Sequence, residues 1–258
     1  MTFIPILAQP PRRIIRPFAA GNSIHFDGVD DKITATKTGL GAAGSSYAVC
    51  AWVKADALDG TANAILSEKK TDNTGSFPFY LGVDSDNKFF FRMFTGSTYT
   101  TKDPDIPLVS TWYHIMGIRN DADDNLRIYR NGTEKHNIIY TDASSVAATP
   151  ANLFLGLLAT INFFPGLIKD VRVFNVALGA GDRAALALVA NLGKLPSEIS
   201  GFVATNTQQI RFYPFKSVFN STINKAGAIN DHGANGVNGT GANFAGTTAS
   251  GVSTDVPA

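Results

Sequence analysis

The turn Asp27-Gly28-Val29-Asp30-Asp31 places three carboxylates within five residues. Hard cations such as Ca²⁺ bind several carboxylate and carbonyl oxygens at once, so this turn is a candidate metal site. A second interpretation needs no ion. Asp27 and Asp30 would accept backbone hydrogen bonds in a turn that Gly28 closes, because aspartate side chains often satisfy nearby backbone N–H groups.

Groups suited to catalysis are sparse in the chain. Retaining glycoside hydrolysis needs two carboxylates about 5 to 5.5 Å apart, whereas the glutamates Glu68, Glu134 and Glu198 are isolated in sequence. Glu68 has the pattern of a solvated strand end. No Gly-x-Ser-x-Gly elbow and no His or Cys pair at zinc-ligand spacing is present. The single cysteine, Cys50, lies in an alternating apolar run and is expected to be buried. We therefore predict that the chain is not an enzyme.

Four aromatic residues in predicted loops are candidates for contact with a glycan or a protein: Tyr99, Tyr140, Phe163 and Phe164. Sugar sites use aromatic faces for stacking and polar groups for orientation. The alternative is that these rings belong to the core or to a subunit contact, because the chain has 18 Phe against 2 Trp.

Residues 1–22 are predicted to form an extended docking arm. Pro5, Pro10, Pro11 and Pro17 remove backbone donors and favour polyproline-like backbone. The alternatives are a strand along the chain's own domain or a disordered tail. The arm offers apolar and basic side chains to a partner protein: Phe3, Ile4, Ile6, Leu7, Arg12, Arg13, Ile14, Ile15 and Arg16.

The near-neutral net charge argues against partners that bind by long-range electrostatic attraction to the whole protein. With 22 basic and 21 acidic residues the net charge is +1, so we expect no nucleic-acid partner and no attraction to an anionic membrane. The apolar start followed by arginines reverses the order of a signal peptide. The sequence contains no run of about 18 apolar residues, so no membrane span is predicted. The expectation is a protein made in a cytoplasm.

Short apolar or alternating runs between turn residues predict an all-β domain. Asn131-Gly132 is a two-residue hairpin signal. Without a long helix between them, the strands indicate an antiparallel β-sandwich of the jelly-roll kind. The predicted strands are 23–27, 31–36, 46–55, 63–69, 77–84, 87–94, 111–121, 125–131, 134–139, 152–156 and 165–175.

The C-terminal third departs from this pattern. Residues 182–192 are rich in helix formers, with Asp182 as a candidate cap and Gly193 as a stop. Strand character returns at 208–219, and we expect the strands after it to complete the same sandwich. The prediction is one domain over residues 23–245, followed by a flexible, Gly-, Ala-, Ser- and Thr-rich tail over 246–258.

Several segments together resemble the laminin G-like, concanavalin A-like jelly roll over residues 23–178: 24–33, 48–54, 65–67, 112–115, 126–132 and 164–174. The resemblance implies the same sandwich, and it makes sugar binding the expected activity. It also implies that Asp170 could join Asp27 and Asp30 around a structural calcium at the sandwich edge. Lys169 and Lys32 add positive charge beside that set.

The fold and the absence of a signal peptide together favour a non-enzymatic structural or adhesion protein of a virus particle. We expect a bacteriophage capsid decoration, tail or fibre component, made in the host cytoplasm. It would bind other virion proteins through the arm, and surface glycans as well, as a homo-oligomer or part of a larger assembly. The alternative is a carbohydrate-binding module of a bacterial cell-surface protein, located outside the cell. A glycoside hydrolase ranks third because paired acids are lacking.

Overall fold

The computed structural model describes residues 23–69, 77–141, 152–158, 162–213, 228–229, 232–234, 239–242 and 251–253, and Pro257. The predicted docking arm, with all of its candidate contact residues from Phe3 to Arg16, lies outside this part. So do residues 214–219 of the predicted strand and most of the predicted tail.

Sixteen strands build the described part of the chain. They are β1 Ser23–Asp27, β2 Lys32–Thr36, β3 Tyr47–Ala55, β4 Asn63–Lys69, β5 Phe77–Val83, β6 Phe89–Phe94, β7 Thr98–Lys102, β8 Tyr113–Asn120, β9 Asn125–Arg130, β10 Thr133–Ile139, β11 Asn152–Leu155, β12 Pro165–Phe174, β13 Gln209–Tyr213, β14 Ala228–Ile229, β15 Gly239–Ala242 and β16 Gly251–Ser253. One α-helix, α1, spans Ala180–Leu186. Short 3₁₀ turns follow at Val189–Asn191 and Pro196–Glu198.

The strands form two eight-stranded sheets. The first sheet has the order β10-β9-β8-β3-β12-β1-β16, with β13 also paired to β12. The second sheet has the order β14-β15-β2-β11-β4-β5-β6-β7. Neighbouring strands of the described ladders are antiparallel, which confirms the predicted sandwich. The C-terminal strands join both sheets.

All eleven predicted strands exist, and their observed ends lie within two residues of the predicted ones. Strand β7 was missed, because Thr98-Tyr99-Thr100-Thr101-Lys102 is polar and carries no apolar alternation. It occupies the edge of the second sheet, where a strand needs no buried outer face. Tyr99, expected in a loop, therefore lies in a strand.

The main core fills the space between the sheets, and β3 shows how the sequence builds it. Tyr47, Val49, Ala51 and Val53 point inward and are fully buried in the main apolar cluster. Burial of a valine side chain, such as that of Val49 or Val53, contributes about 1.5–3 kcal/mol relative to exposure. Because side chains alternate along a strand, the intervening residues face outward. Cys50 is one of these, and it is fully buried as predicted.

The outer face of the first sheet is covered in turn by the segment that contains α1. A second apolar cluster joins Cys50 and Met116 of the sheet to Leu178 and Leu186 of that segment. The predicted helix over 182–192 is shorter and starts earlier, at Ala180. No helix in the described ranges is long and apolar enough to cross a membrane.

Asp182 is not the cap that the sequence suggested. Gly179 occupies the cap position, and the Asp182 carboxylate is almost completely buried. It accepts hydrogen bonds from the backbone N–H groups of Val203 at 2.7 Å and Ala204 at 3.1 Å. The side chain thus fixes the following loop against the helix instead of starting the helix.

Candidate functional site

A polar cleft of about 300 Å³ lies on the outer face of the first sheet, between β8–β10 and the segment around α1. Its apolar residues are Ile118, Ala177 and Leu178. Its other lining residues carry hydrogen-bonding groups or an aromatic ring: Asn120, Asp123, Arg127, Tyr129, Glu134 and Arg183.

Strand alternation positions most of these side chains. On β9, Leu126 and Ile128 point into the main core, so Arg127 and Tyr129 face outward. Tyr129 is paired with Glu134 of β10, which brings the carboxylate onto the same face.

The predicted Asn131-Gly132 hairpin sets this register. Asn131 has φ 52° and Gly132 has φ 79°, as expected for a tight two-residue turn of the primed type. A Cβ at Gly132 would lie 3.3 Å from both Ala184 Cα and Ala187 Cβ. The bare glycine backbone therefore lets α1 approach the hairpin closely, and this approach places Arg183 over the sheet.

Both carboxylates of the cleft face Arg127. The guanidinium donates to both oxygens of Asp123, one of them at 3.1 Å, and its Nε lies 3.7 Å from Glu134 Oε2. Hydrogen bonds from Arg127 hold the pKa of Asp123 below its usual range. A general acid for glycoside hydrolysis needs a raised carboxyl pKa instead, so Asp123 suits ligand binding better than proton donation.

Tyr129 connects the two sides of the cleft. Its hydroxyl donates to Glu134 Oε2 at 2.9 Å, and its ring lies under the Arg183 guanidinium with Cζ 4.5 Å from the centroid. Burial and the hydrogen bond to Glu134 raise the pKa of Tyr129 to about 12, so the phenol stays protonated at neutral pH. Ile118 and Leu178 are buried at the base of the cleft. The cleft thus offers mainly fixed acceptors and fixed donors, which are the groups that orient the hydroxyls of a sugar.

Sequence reasoning assigned none of these cleft residues a role in binding. Glu134 was considered only as an acid that is isolated in sequence. The available signal was the outward polar pair Arg127 and Tyr129 immediately before an Asn-Gly hairpin. The position of Arg183 opposite them depends on tertiary packing and has no local signal.

Two of the predicted aromatic contacts are core residues. Tyr140 and Phe164 are each 1% exposed and belong to the main core. The Tyr140 hydroxyl donates to Asp121 Oδ1 at 3.2 Å and accepts from Arg119 Nε at 3.3 Å. Neither ring presents a face to a ligand, so the expectation of a ligand contact does not hold for these two.

The other two predicted aromatic residues are partly exposed. Tyr99 packs edge-on against Tyr140, with ring centroids 6.1 Å apart. Phe163 forms an isolated bridge with Ala64 of β4. Neither residue lines the cleft.

The acidic turn is closed by backbone hydrogen bonds to Asp27, as the second interpretation predicted, but the second acceptor observed in the turn is Asp31, where Asp30 was predicted. Asp27 Oδ1 accepts from the backbone N–H of Val29 at 2.8 Å and of Asp30 at 3.3 Å, and Asp31 Oδ2 accepts from Asp27 N at 2.9 Å. Asp27, Asp30 and Asp31 also bring one oxygen each within 4.8 Å of one another. Three such oxygens supply only part of the six to eight that calcium takes. A bound Ca²⁺ therefore stays a prediction for these three residues.

Asp170 does not join that turn. Asp27 is paired with Pro165 on β12, so Asp170 lies five residues further along the strand, roughly 16 Å away. Its carboxylate binds Arg172 through both oxygens, at 2.9–3.0 Å, and accepts from Gly193 N at 3.0 Å. Asp170 is thus part of a buried ion pair and not of a metal site with Asp27.

Glu68 also differs from its prediction. Its side chain is buried, and its carboxylate accepts from the backbone N–H of Thr38 at 2.7 Å and from the Thr38 hydroxyl. Burial raises the pKa of this carboxyl. Glu68 therefore holds the chain after β2 against β4 and is not a solvated strand end.

Comparison with known families and structures agrees with this architecture. Residues 27–182, more than half of the chain, match the family model described as the concanavalin A-like lectin/glucanases superfamily. No curated protein sequence matches the chain significantly.

Three solved structures illustrate the shared fold. A candidate carbohydrate-binding protein from Bacteroides ovatus aligns with a TM-score of 0.62 at 17% identity, over 86% of this chain and 58% of that one. The chain thus spans little more than half the length of that protein. The heptameric SAP-like pentraxin of Limulus polyphemus aligns with a TM-score of 0.52 at 17% identity, over 66% and 82% of the two chains. The CBM40 of Ruminococcus gnavus IT-sialidase bound to α2,3-sialyllactose aligns with a TM-score of 0.52 at 13% identity, over 64% and 98%.

Proposed function

The chain belongs to the concanavalin A-like lectin/glucanases superfamily, and on this premise we propose that it is a non-enzymatic carbohydrate-binding protein. Its glycan occupies the cleft between β8–β10 and α1. The observation that carries the proposal is the polar lining of that cleft, which offers fixed donors and acceptors from Asn120, Arg127 and Glu134.

Two further observations support binding rather than hydrolysis. Asp123 and Glu134 both face Arg127, and the lowered pKa of Asp123 keeps that carboxyl ionised. The Bacteroides ovatus and Ruminococcus gnavus structures also pair this type of fold with carbohydrate binding. A glycan-binding protein acts where glycans are displayed, so the proposed location is a cell surface or the extracellular space.

The virus-particle role remains a prediction. It depends on the arm over residues 1–22, which lies outside the described part of the chain. None of the three structures named above is a virion protein.

A glycan array with the full chain tests the proposal, using two tryptophan variants as probes. Asn120→Trp adds a large ring at the cleft, whereas Thr98→Trp adds the same ring at an exposed position of β7 on the other sheet. We expect the wild type and Thr98→Trp to bind the same glycans, and Asn120→Trp to lose them. Binding that survives Asn120→Trp, or no binding to any glycan by the folded wild type, would contradict the proposal.

A further inference from the structure

Arg183 differs from the other cation of the cleft in having no countercharge. Arg127 faces two carboxylates, Asp123 and Glu134. Across the described ranges, no carboxylate forms an ion pair with Arg183, and the guanidinium donates only to a backbone carbonyl, Leu178 O, at 2.6 Å. The cleft therefore contains one positive charge that no carboxylate of the described residues balances.

The carboxylates already in the cleft are engaged elsewhere. Glu134 accepts from the Tyr129 hydroxyl and, at 2.8 Å, from Asn137 Nδ2. The two carboxylate oxygens of Asp123 accept hydrogen bonds from Nη1 and Nη2 of Arg127. Neither carboxylate of the cleft is therefore available to Arg183, which leaves this guanidinium open to a charged ligand.

Arg183 is also partly removed from solvent, which makes the missing countercharge costly. Its guanidinium lies on the Tyr129 ring, and its Nε is buried without an acceptor among the residues that the structure describes. A cation stacked on an aromatic ring and shielded from water interacts more strongly with an arriving anion than a solvated one does. The Nη2 group of Arg183 remains for that anion, since its neighbour Nη1 already binds Leu178 O.

We infer that the glycan held in this cleft carries a carboxylate, as uronic acids and sialic acids do, and that Arg183 binds it. This inference rests on the proposed function and narrows it to acidic sugars. Arginine suits the role because its planar guanidinium matches a carboxylate. Asn120, which also lines the cleft, then binds the hydroxyls of the sugar.

The test is a calorimetric titration of the full chain with matched glycans. One arm uses a uronic-acid oligosaccharide and its carboxyl-reduced neutral form. The other uses a sialylated oligosaccharide and its form without sialic acid. Because a hydrogen bond between a guanidinium and a carboxylate is charge-assisted, we expect the acidic member of one pair to bind about tenfold or more tightly than its neutral partner. Added salt should reduce that preference.

Two variants assign the preference to a residue. Arg183→Gln should abolish the difference between acidic and neutral forms. Arg92→Gln is the matched control, because Arg92 also stacks on a ring, 4.8 Å from the Phe90 centroid, but on the other sheet. It should retain the full preference.

The outcomes separate this inference from the proposed function. Equal affinity for acidic and neutral forms, or a preference that survives Arg183→Gln, overturns the inference and leaves glycan binding intact. Absence of binding to every glycan overturns both. The comparison of matched glycans needs only the wild type, so a variant that fails to fold does not prevent a decision.

Discussion

Two arginine–carboxylate clusters lie on the same outer face of the first sheet, and they have opposite degrees of exposure. In the sealed cluster, Arg172 and Asp170 are 0% and 2% exposed. In the open cleft, Arg127 and Asp123 are 18% and 42% exposed. The same pair of side-chain types therefore serves two different environments.

The sealed cluster is fully occupied by protein groups. Besides Asp170, Arg172 donates to Lys194 O at 2.7 Å and Gln209 Oε1 at 3.1 Å, and it stacks 4.1 Å from the Phe212 ring centroid. Asp170 adopts φ 52° in an irregular part of β12, where the register with β3 shifts. Its surroundings hold this unfavourable backbone conformation, so the cluster ties the sheet to the loop that follows α1.

The comparison shows that burial decides the role of an ion pair. Where loops cover it, all of its hydrogen-bonding capacity is used internally and it supports the fold. Where the cover stops at α1, a neighbouring cation such as Arg183 is left facing a cleft that a ligand can enter. The following predictions test this contrast.

The largest effect is expected in the sealed cluster. Asp170→Ala leaves Arg172 as an uncompensated buried charge, which costs about 3–5 kcal/mol of folding stability. Urea unfolding followed by circular dichroism measures the loss. A loss below about 1 kcal/mol would show that the pair is not sealed in solution.

A pH dependence of stability comes next. Burial, and then the charge of Arg172, lowers the pKa of His114 to about 3, against about 6.5 in an unfolded chain. Between these pH values only the unfolded state binds the proton, so protonation of His114 favours unfolding. Above about pH 6.5 the group does not change the free energy of unfolding. Below it, that free energy falls by about 1.4 kcal/mol per pH unit as the pH decreases towards 3.

Urea midpoints of the wild type and His114→Gln across this pH range measure the effect of His114 protonation on the free energy of unfolding. The variant has no group to titrate at this position, so its stability should fall less steeply with decreasing pH. Parallel curves for the two proteins would mean that His114 is protonated, or accessible to water, in the folded state.

The smallest stability effect is expected in the open cleft. Asp123→Ala breaks the ion pair with Arg127, but both side chains reach solvent, so the cost is at most about 1 kcal/mol. Glycan affinity should fall nonetheless, because the cleft loses an acceptor. Unfolding and titration of the same preparation check both parts. A stability loss as large as that of Asp170→Ala would remove the distinction between the two clusters.

The sequence predicted the sandwich well because its signals are local. Alternation in β3 and β9 and the Asn131-Gly132 turn each depend on neighbouring residues, and all were confirmed. Strand β7 was missed because an edge strand needs no apolar pattern.

The functional residues could not be predicted in the same way. Asp170 was grouped with Asp27 from a resemblance, but strand register pairs Asp27 of β1 with Pro165, five residues before Asp170 on β12. Arg183 reaches the cleft only because α1 packs on Gly132. Such long-range relationships depend on tertiary structure and leave no mark in residue spacing.

An NMR titration of the ¹⁵N-labelled protein with a glycan that binds on the array locates the binding site directly. If the glycan occupies the cleft, the largest shifts fall on its backbone amides, at Asn120, Arg127, Tyr129, Glu134 and Arg183. Largest shifts on the acidic turn at 27–31, or on the outer face of the second sheet, would contradict binding in the cleft.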